Sequence, residues 1–282
     1  MTLSISRYPY KRFKPLSLLL LSRFSTSFEI NRTPLTNTNN KVYIINTSSR
    51  GIGYEFTSQL LSRSSESTQI IGLYGSKTDK LHELKQAYPN KLHLVHIDTE
   101  SQPSIDNAIK EISSFTNKVD MLINSAGILG DGKSTPGPER ALANIDRAWL
   151  EKTLQVNLIG HVMVTQGLVP LFKRPKAELG NLTKIVNISA RVGSIEDNNL
   201  GGWYSYRMSK AALNMFTKTA SIELKRHGCV VLSMHPGKPI LMYTSYTITR
   251  VYVVFRYHCA ILIPYYHIQT VSLTNIIITD LT

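Results

Sequence analysis

Two cysteines in 282 residues, Cys229 and Cys259, cannot build a disulfide framework, and no group of Cys and His has metal-ligand spacing. A disulfide-stapled secreted scaffold and a structural zinc site are thereby excluded, and a reducing compartment is the default. Long apolar runs are missing too. None reaches the roughly 18 residues of a membrane-spanning helix, and the longest candidate, 251–263, is broken by Arg256 and His258. Acid is scarce: 19 Asp and Glu stand against 32 Lys and Arg, for a formal net charge of +13. Five of those bases, Arg7, Lys11, Arg12, Lys14 and Arg23, fall within residues 1–28, which hold no acid at all. The others are scattered along expected helices instead of gathered into a patch interleaved with aromatics, which argues against a nucleic-acid partner.

What residues 1–28 do have is Ser, Leu and Arg, with Glu29 the first acid. That is the composition of an organelle transit peptide, mitochondrial or plastid. A secretory signal fits less well, because its apolar core would be only Leu16 to Leu21 and no small-residue cleavage site follows. Asn31 to Asn40 is rich in Asn and Thr and reads as a linker, so residues 1–40 are expected to be leader and linker. Without a functional leader the expected location is cytoplasmic.

From Lys41 the pattern alternates. Short β-rich apolar runs occur at Val42–Ile45, Ile70–Tyr74, Leu92–Ile97, Val119–Ile123, Lys184–Ile188 and Val230–Met234. Between them lie helix-period segments at Gly53–Ser62, Asp79–Tyr88, Pro103–Phe115, Asp146–Phe172 and Tyr204–Arg226. Such alternation predicts an α/β domain with a doubly wound parallel sheet covered by helices on both faces. Ligands then bind beyond the carboxyl ends of the strands, so chemistry is to be sought just after each strand.

Four of the six strands carry something there. After the first stands Asn46-Thr-Ser-Ser-Arg-Gly-Ile-Gly53, a glycine turn opening a helix, where backbone can approach a pyrophosphate and free N–H groups can hold it. After the third comes Asp98; after the fourth, Asn124-Ser-Ala-Gly127; after the fifth, Ser189. Tyr206 and Lys210 then open a long helix four residues apart, on one face. A nearby ammonium favours phenolate over phenol, which would make Tyr206 a usable acid and base near neutrality. A Tyr-x-x-x-Lys spacing arises by chance, and Tyr10 with Lys14 in the leader is such a case. The informative feature is the order of the whole set along the chain.

With these residues in view, 41–237 resembles the classical short-chain dehydrogenase/reductase family throughout. The runs around 188–195 and Asp197-Asn-Asn-Leu-Gly-Gly-Trp-Tyr-Ser-Tyr-Arg-Met-Ser-Lys210 are similar to its sniffer-like and C-signal-like carbonyl reductases. The resemblance implies a Rossmann fold and a catalytic tetrad of Asn157, Ser189, Tyr206 and Lys210. Tyr206 would protonate the carbonyl oxygen as hydride arrives, and Ser189 would hydrogen-bond that oxygen. Lys210 would hold the ribose and depress the tyrosine pKa, while Asn157 would position a water. Cofactor contacts would come from Ser49, Arg50, Gly51, Ile52 and Gly53, from Asp98 at the adenine edge, from Asn124, Ala126 and Gly127, and from Pro236 and Gly237. Homo-oligomers occur in the family, and the substrate would be a small carbonyl or alcohol. His96 and His161 match nothing catalytic in it and are expected to be packing or surface residues.

Three departures stand out. Thr47 replaces the first glycine of the family's turn, and a β-branched residue is strained there if φ must be positive. The second strand ends Tyr74-Gly75-Ser76-Lys77 with no acid for a ribose 2′-hydroxyl, and Arg50 lies in the glycine turn, which together favour NADP(H) over NAD(H). Residues 238–282 contain no glycine, one acid (Asp280) and six of the 14 tyrosines. That tail has no match to the family and resembles translated A/T-rich non-coding sequence, as from a retained intron or a faulty gene model; the alternative is a genuine divergent lid with a β-rich edge. The domain is therefore expected to lack the family's C-terminal strand, to fold poorly and to have little activity. Two functions follow: an NADP(H)-dependent carbonyl oxidoreductase, or a catalytically silent cofactor- or partner-binding remnant.

Overall fold

The computed structural model describes residues 40–76, 78–130, 137–172 and 182–236, together with the strand Tyr252–Val253. The expected leader, nearly all of the tail, Lys77 and Gly237 lie outside the described residues.

The elements are β1 (Val42–Asn46), α1 (Gly51–Arg63), β2 (Gln69–Tyr74), α2 (Asp79–Ala87), β3 (Leu92–His96), α3 (Gln102–Phe115) and β4 (Met121–Asn124). They continue with α4 (Arg147–Leu154), α5 (Gly160–Phe172), β5 (Thr183–Ile188), α6 (Tyr204–Leu224), β6 (Cys229–His235) and β7 (Tyr252–Val253). Strand order is β3-β2-β1-β4-β5-β6-β7, with the first six parallel. This is the expected doubly wound Rossmann-type α/β fold, in one domain. The expected strands are recovered to within two residues at either end.

β1 shows why the sheet is sandwiched. All five of its residues are buried. Val42 and Ile44 join the core beneath α3, α5 and α6, built on Ile105, Ile112, Val164, Leu168 and Leu224. Tyr43 and Ile45 face the other way, onto Phe56, Leu60 and Leu61 of α1. Strand order turns back between β1 and β4, so the crevice at their carboxyl ends is where a ligand fits.

A row of amides crosses the sheet at that level. Asn46, Asn124, Asn187 and Ser233 occupy matched registers on β1, β4, β5 and β6. Asn46 Nδ2 donates to Asn124 Oδ1 (3.2 Å), and Asn124 Nδ2 donates to Asn187 Oδ1 (2.9 Å) and Thr165 Oγ1 (3.0 Å). Asn187 Nδ2 and Ser233 Oγ both donate to Thr217 Oγ1, each at 2.9 Å. The three asparagines are fully buried, so these bonds offset amide desolvation as well as tying strands together.

Two expectations change. The segment 146–172 is not one regular helix: α4 runs into a π turn, Gln155–Ile159, before α5 resumes. By length and composition Arg147–Phe172 could cross a membrane, which the search for apolar runs missed because Gln, Asn and His interrupt it. Its Val164, Leu168 and Phe172 instead pack into the core of the sheet. At the far edge, among the described residues, β7 pairs antiparallel with β6 at Met234 and His235. Among the described residues a two-residue antiparallel strand thus stands where a full parallel strand was expected to be missing.

Candidate active site

The glycine turn leaves β1 through Thr47, whose φ is +74°. The condition set by the sequence is met: a β-branched residue occupies left-handed backbone, at a cost of roughly 1–2 kcal/mol. Two bonds hold it there, from Thr47 N (3.1 Å) and Ser48 N (2.8 Å) to Leu73 O on β2. Glycine is compulsory at Gly53, where a Cβ would meet Thr47 O at 1.8 Å. At Gly51, φ is +57° and a Cβ would point into open space, so the backbone is exposed for close approach.

Side chains cap α2, α3 and α4, through Thr78, Ser101 and Asp146. α1 has neither a side-chain cap nor an acid in its first turn. Its leading N–H groups and positive dipole end are therefore left for an anion, which is the requirement for a cofactor pyrophosphate. Ser49 is buried and its carbonyl accepts from Thr78 Oγ1 (3.0 Å), which ties the turn to the loop after β2. Arg50 is exposed on that same side, while Ile52 is partly buried against the core.

The residues after β4 and β5 converge. A Cβ built on Gly127 would lie 3.7 Å from both Asn157 Oδ1 and Lys210 Nζ. Asn157 sits mid-way in the π turn and is buried; its Oδ1 accepts from Ile128 N (2.7 Å), and its Nδ2 donates to Ile128 O (2.9 Å) and Ser209 Oγ (3.1 Å). π turns collect at functional sites because the extra residue re-aims a side chain. Lys210 Nζ donates to Ile188 O (2.9 Å) and stands 5.7 Å from the Tyr206 ring centroid. Ser189 Oγ donates to Asn214 Oδ1 (2.7 Å).

Electrostatics differ from the sequence-based expectation. Among the protein's own groups, burial raises the Tyr206 pKa instead of Lys210 lowering it. Lys210 is itself pushed down to about 8 by burial. Both shifts have the same cause: leaving water disfavours the charged form, phenolate for Tyr206 and ammonium for Lys210.

The remaining sequence-selected residues fall as follows. Asp98 is exposed at the end of β3, and its Oδ1 accepts from Glu100 N (2.9 Å), a local turn. Asn124 has its amide committed inside the sheet, so it shapes the site only through its backbone. Ala126 is buried beside His161, Pro236 is half-buried after β6, and Gly237 is outside the described residues. His96 is exposed and lies edge-on to Tyr74. His161 is wholly buried with neither ring nitrogen in a regular hydrogen bond, although the Ala126 backbone nudges its pKa upward. Burial first, then the Lys210 charge, holds that pKa down at about 3.

Sequence reasoning missed Asn214 and Ser209. The signal was present: Tyr206, Lys210 and Asn214 repeat every four residues along one face of α6.

Three comparisons bear on this site. The family described as short chain dehydrogenase matches residues 41–242. The chain is 37% identical to C-signal of Myxococcus xanthus over 122 residues, covering 43% of this chain and 66% of that protein. It is 30% identical to an uncharacterised oxidoreductase of Schizosaccharomyces pombe over 201 residues, 71% of this chain and 74% of the other. The structure is similar to that of an NADPH-bound carbonyl reductase from chicken fatty liver, with TM-score 0.62 and 27% identity, covering 70% of this chain and 79% of that one. It is equally similar to the carbonyl reductase Sniffer of D. melanogaster, with TM-score 0.62, 27% identity, and 70% and 80% covered.

Proposed function

The chain belongs to the short-chain dehydrogenase/reductase family, as an oxidoreductase acting at CH–OH or C=O carbon with a nicotinamide cofactor, and on that footing we propose an NADP(H)-dependent carbonyl reductase working through Asn157, Ser189, Tyr206 and Lys210. The observation that carries this is the meeting of Gly127, Asn157 Oδ1 and Lys210 Nζ at one point beside the Tyr206 ring.

The bound nicotinamide would supply the hydride. Tyr206 would give its phenolic proton to the carbonyl oxygen as charge develops there. Ser189 would turn its hydroxyl from Asn214 towards that oxygen, a donor placed for the transition state. Asn214 then acts as the group that parks and orients Ser189. Lys210, at about 8, titrates close enough to neutrality to return a proton to Tyr206. Asn157, clamped at both ends of its amide, would hold a water between Lys210 and solvent.

The choice of NADP(H) rests on charge. Arg50 is exposed at the glycine turn, Thr78 ties that turn to the end of β2, and positions 74–76 offer no carboxylate. A 2′-phosphate gains an Arg there, whereas a 2′-hydroxyl finds no acceptor acid. A second copy of the chain is a fitting partner, because Met208, Met215 and Ile222 leave an exposed apolar stripe at seven-residue spacing on α6. The test is a pair of dissociation constants together with turnover. NADPH is expected to bind at least tenfold more tightly than NADH and to support reduction of a small carbonyl; equal or reversed affinity refutes the cofactor assignment, and binding without turnover refutes the enzyme.

A further inference from the structure

Residues 201–203 make a short left-handed turn. Gly201, Gly202 and Trp203 have φ of +63°, +65° and +56° in succession. Glycine visits this region freely; tryptophan does so at a cost, and a run of three is rare. Strain of this kind survives only where neighbours over-determine it, and the neighbours are on hand. Trp203 N donates to Glu139 O (2.5 Å). The Arg207 guanidinium donates to the carbonyls of Gly202 (2.9 Å), Gly201 (3.2 Å) and Val192 (3.1 Å). The Glu139 carboxylate is buried and takes two bonds from Ser205, one from its hydroxyl and one from its backbone N (3.3 Å).

The product of that scaffold is a fixed indole. Trp203 meets the Tyr206 ring edge-on, with centroids 6.3 Å apart at 73°, yet 37% of it remains exposed. A large aromatic left half open to solvent, on a strained backbone, against the proposed proton donor, is what a substrate wall requires. Leu129, Ile195 and Leu200 are exposed on the loops that follow β4 and β5, the same end of the sheet. The exposed large side chains of this set are apolar, so the wall favours apolar bulk.

Building on the reductase reading above, we propose that Trp203 is a specificity-determining residue that stacks against flat, unsaturated carbonyl substrates, and that Glu139 is the positioning residue that sets it. An aryl ketone or conjugated enone gains a ring-to-ring contact on the indole that a saturated alkyl ketone of equal size lacks. Glu139 touches no substrate; its side chain fixes Ser205, and its carbonyl fixes the tryptophan backbone.

The test uses the full chain and two carbonyls of similar size, one an aryl ketone and one a saturated alkyl ketone. Trp203→Ala is expected to lower the aryl-to-alkyl ratio of kcat/KM by a factor of about three to ten, through KM, and Trp203→Phe to restore most of it. Glu139→Ala is expected to imitate Trp203→Ala in that ratio, with Glu139→Gln, which keeps an acceptor for Ser205, close to the natural chain. An unchanged ratio in Trp203→Ala overturns the proposal while leaving the reductase reading intact. Binding gives a second measurement, because the protein has only two tryptophans. In Trp149→Phe, Trp203 alone emits, and the aryl ketone is expected to quench it saturably even in the Tyr206→Phe background. Saturable quenching without turnover of any carbonyl would remove the reductase reading and keep the wall; turnover without quenching would remove the wall.

Discussion

Replacing Thr47 by glycine should make this protein more stable, although it deletes atoms. The residue stands at φ +74° at the mouth of the glycine turn. For a residue with a Cβ that region costs roughly 1–2 kcal/mol, and β-branching places Thr47 at the upper end. Glycine removes the penalty but adds freedom to the unfolded chain, worth about 0.4–1 kcal/mol against it. The balance is a net gain of about 1–1.5 kcal/mol, or roughly 2–6 °C in melting temperature for a domain of this size. Alanine keeps the Cβ and hence most of the strain, so Thr47→Ala should melt near the natural chain. Asparagine tolerates left-handed backbone and should fall between the two. Because the turn is the proposed pyrophosphate cradle, Thr47→Gly should also tighten NADPH. Thermal melts followed by circular dichroism, with and without NADPH, give both numbers. If Thr47→Gly is no more stable than Thr47→Ala, backbone strain at this position is not what the dihedral angle implies.

Three further outcomes are expected. Tyr206→Phe should abolish carbonyl reduction while NADPH affinity stays within about twofold, since the phenol acts on substrate and Lys210 on cofactor; retained turnover would remove Tyr206 from the chemistry. His161 binds its proton only near pH 3 in the folded chain, against an ordinary value of 6.5, so the folded state loses stability as pH falls through 6.5 and goes on losing it to about 3. In that window the pH dependence of unfolding free energy, measured with urea, should be shallower in His161→Leu by about 1.4 kcal/mol per pH unit, and parallel curves would contradict the burial argument. Heating the whole chain should end in aggregation, because among the described residues β6 is paired on its outer side at only Met234 and His235; full refolding on cooling would show that edge to be protected.

The strands and helices were legible because their signals are periodic and local. β1 and β4 are near-continuous apolar runs, as strands buried on both faces must be. Asn157, Ser189, Tyr206 and Lys210 were legible as an order along the chain, not as a geometry. What escaped was whatever depends on a partner distant in sequence. Glu139 is ordinary in its own surroundings, and its role exists only because Ser205 lies 66 positions away and buried beside it. The π turn was invisible for a similar reason: Gln155-Val-Asn-Leu-Ile159 has no glycine or proline to announce a break, and packing decides it. The Tyr206 pKa was misjudged in direction because helical spacing shows that two side chains share a face but not how dry that face is.

The amide row across the sheet sets the pace at which the site can come apart. Thr47, Ser125 and Ser189 each follow the row's member on β1, β4 or β5 by one or two residues, so the loops bearing the proposed chemistry depart from strands bolted together at a single level. Opening the end of β4 breaks a buried amide bond on each side of it, to Asn46 and to Asn187, and a half-satisfied amide in the interior costs more than a wholly exposed one. Local fraying is thereby suppressed in favour of concerted opening. In hydrogen exchange, the backbone amides of Thr47, Ser125 and Ser189, each bonded across to a neighbouring strand, would share one slow rate, while those of the capped surface helix α2 exchange ahead of them.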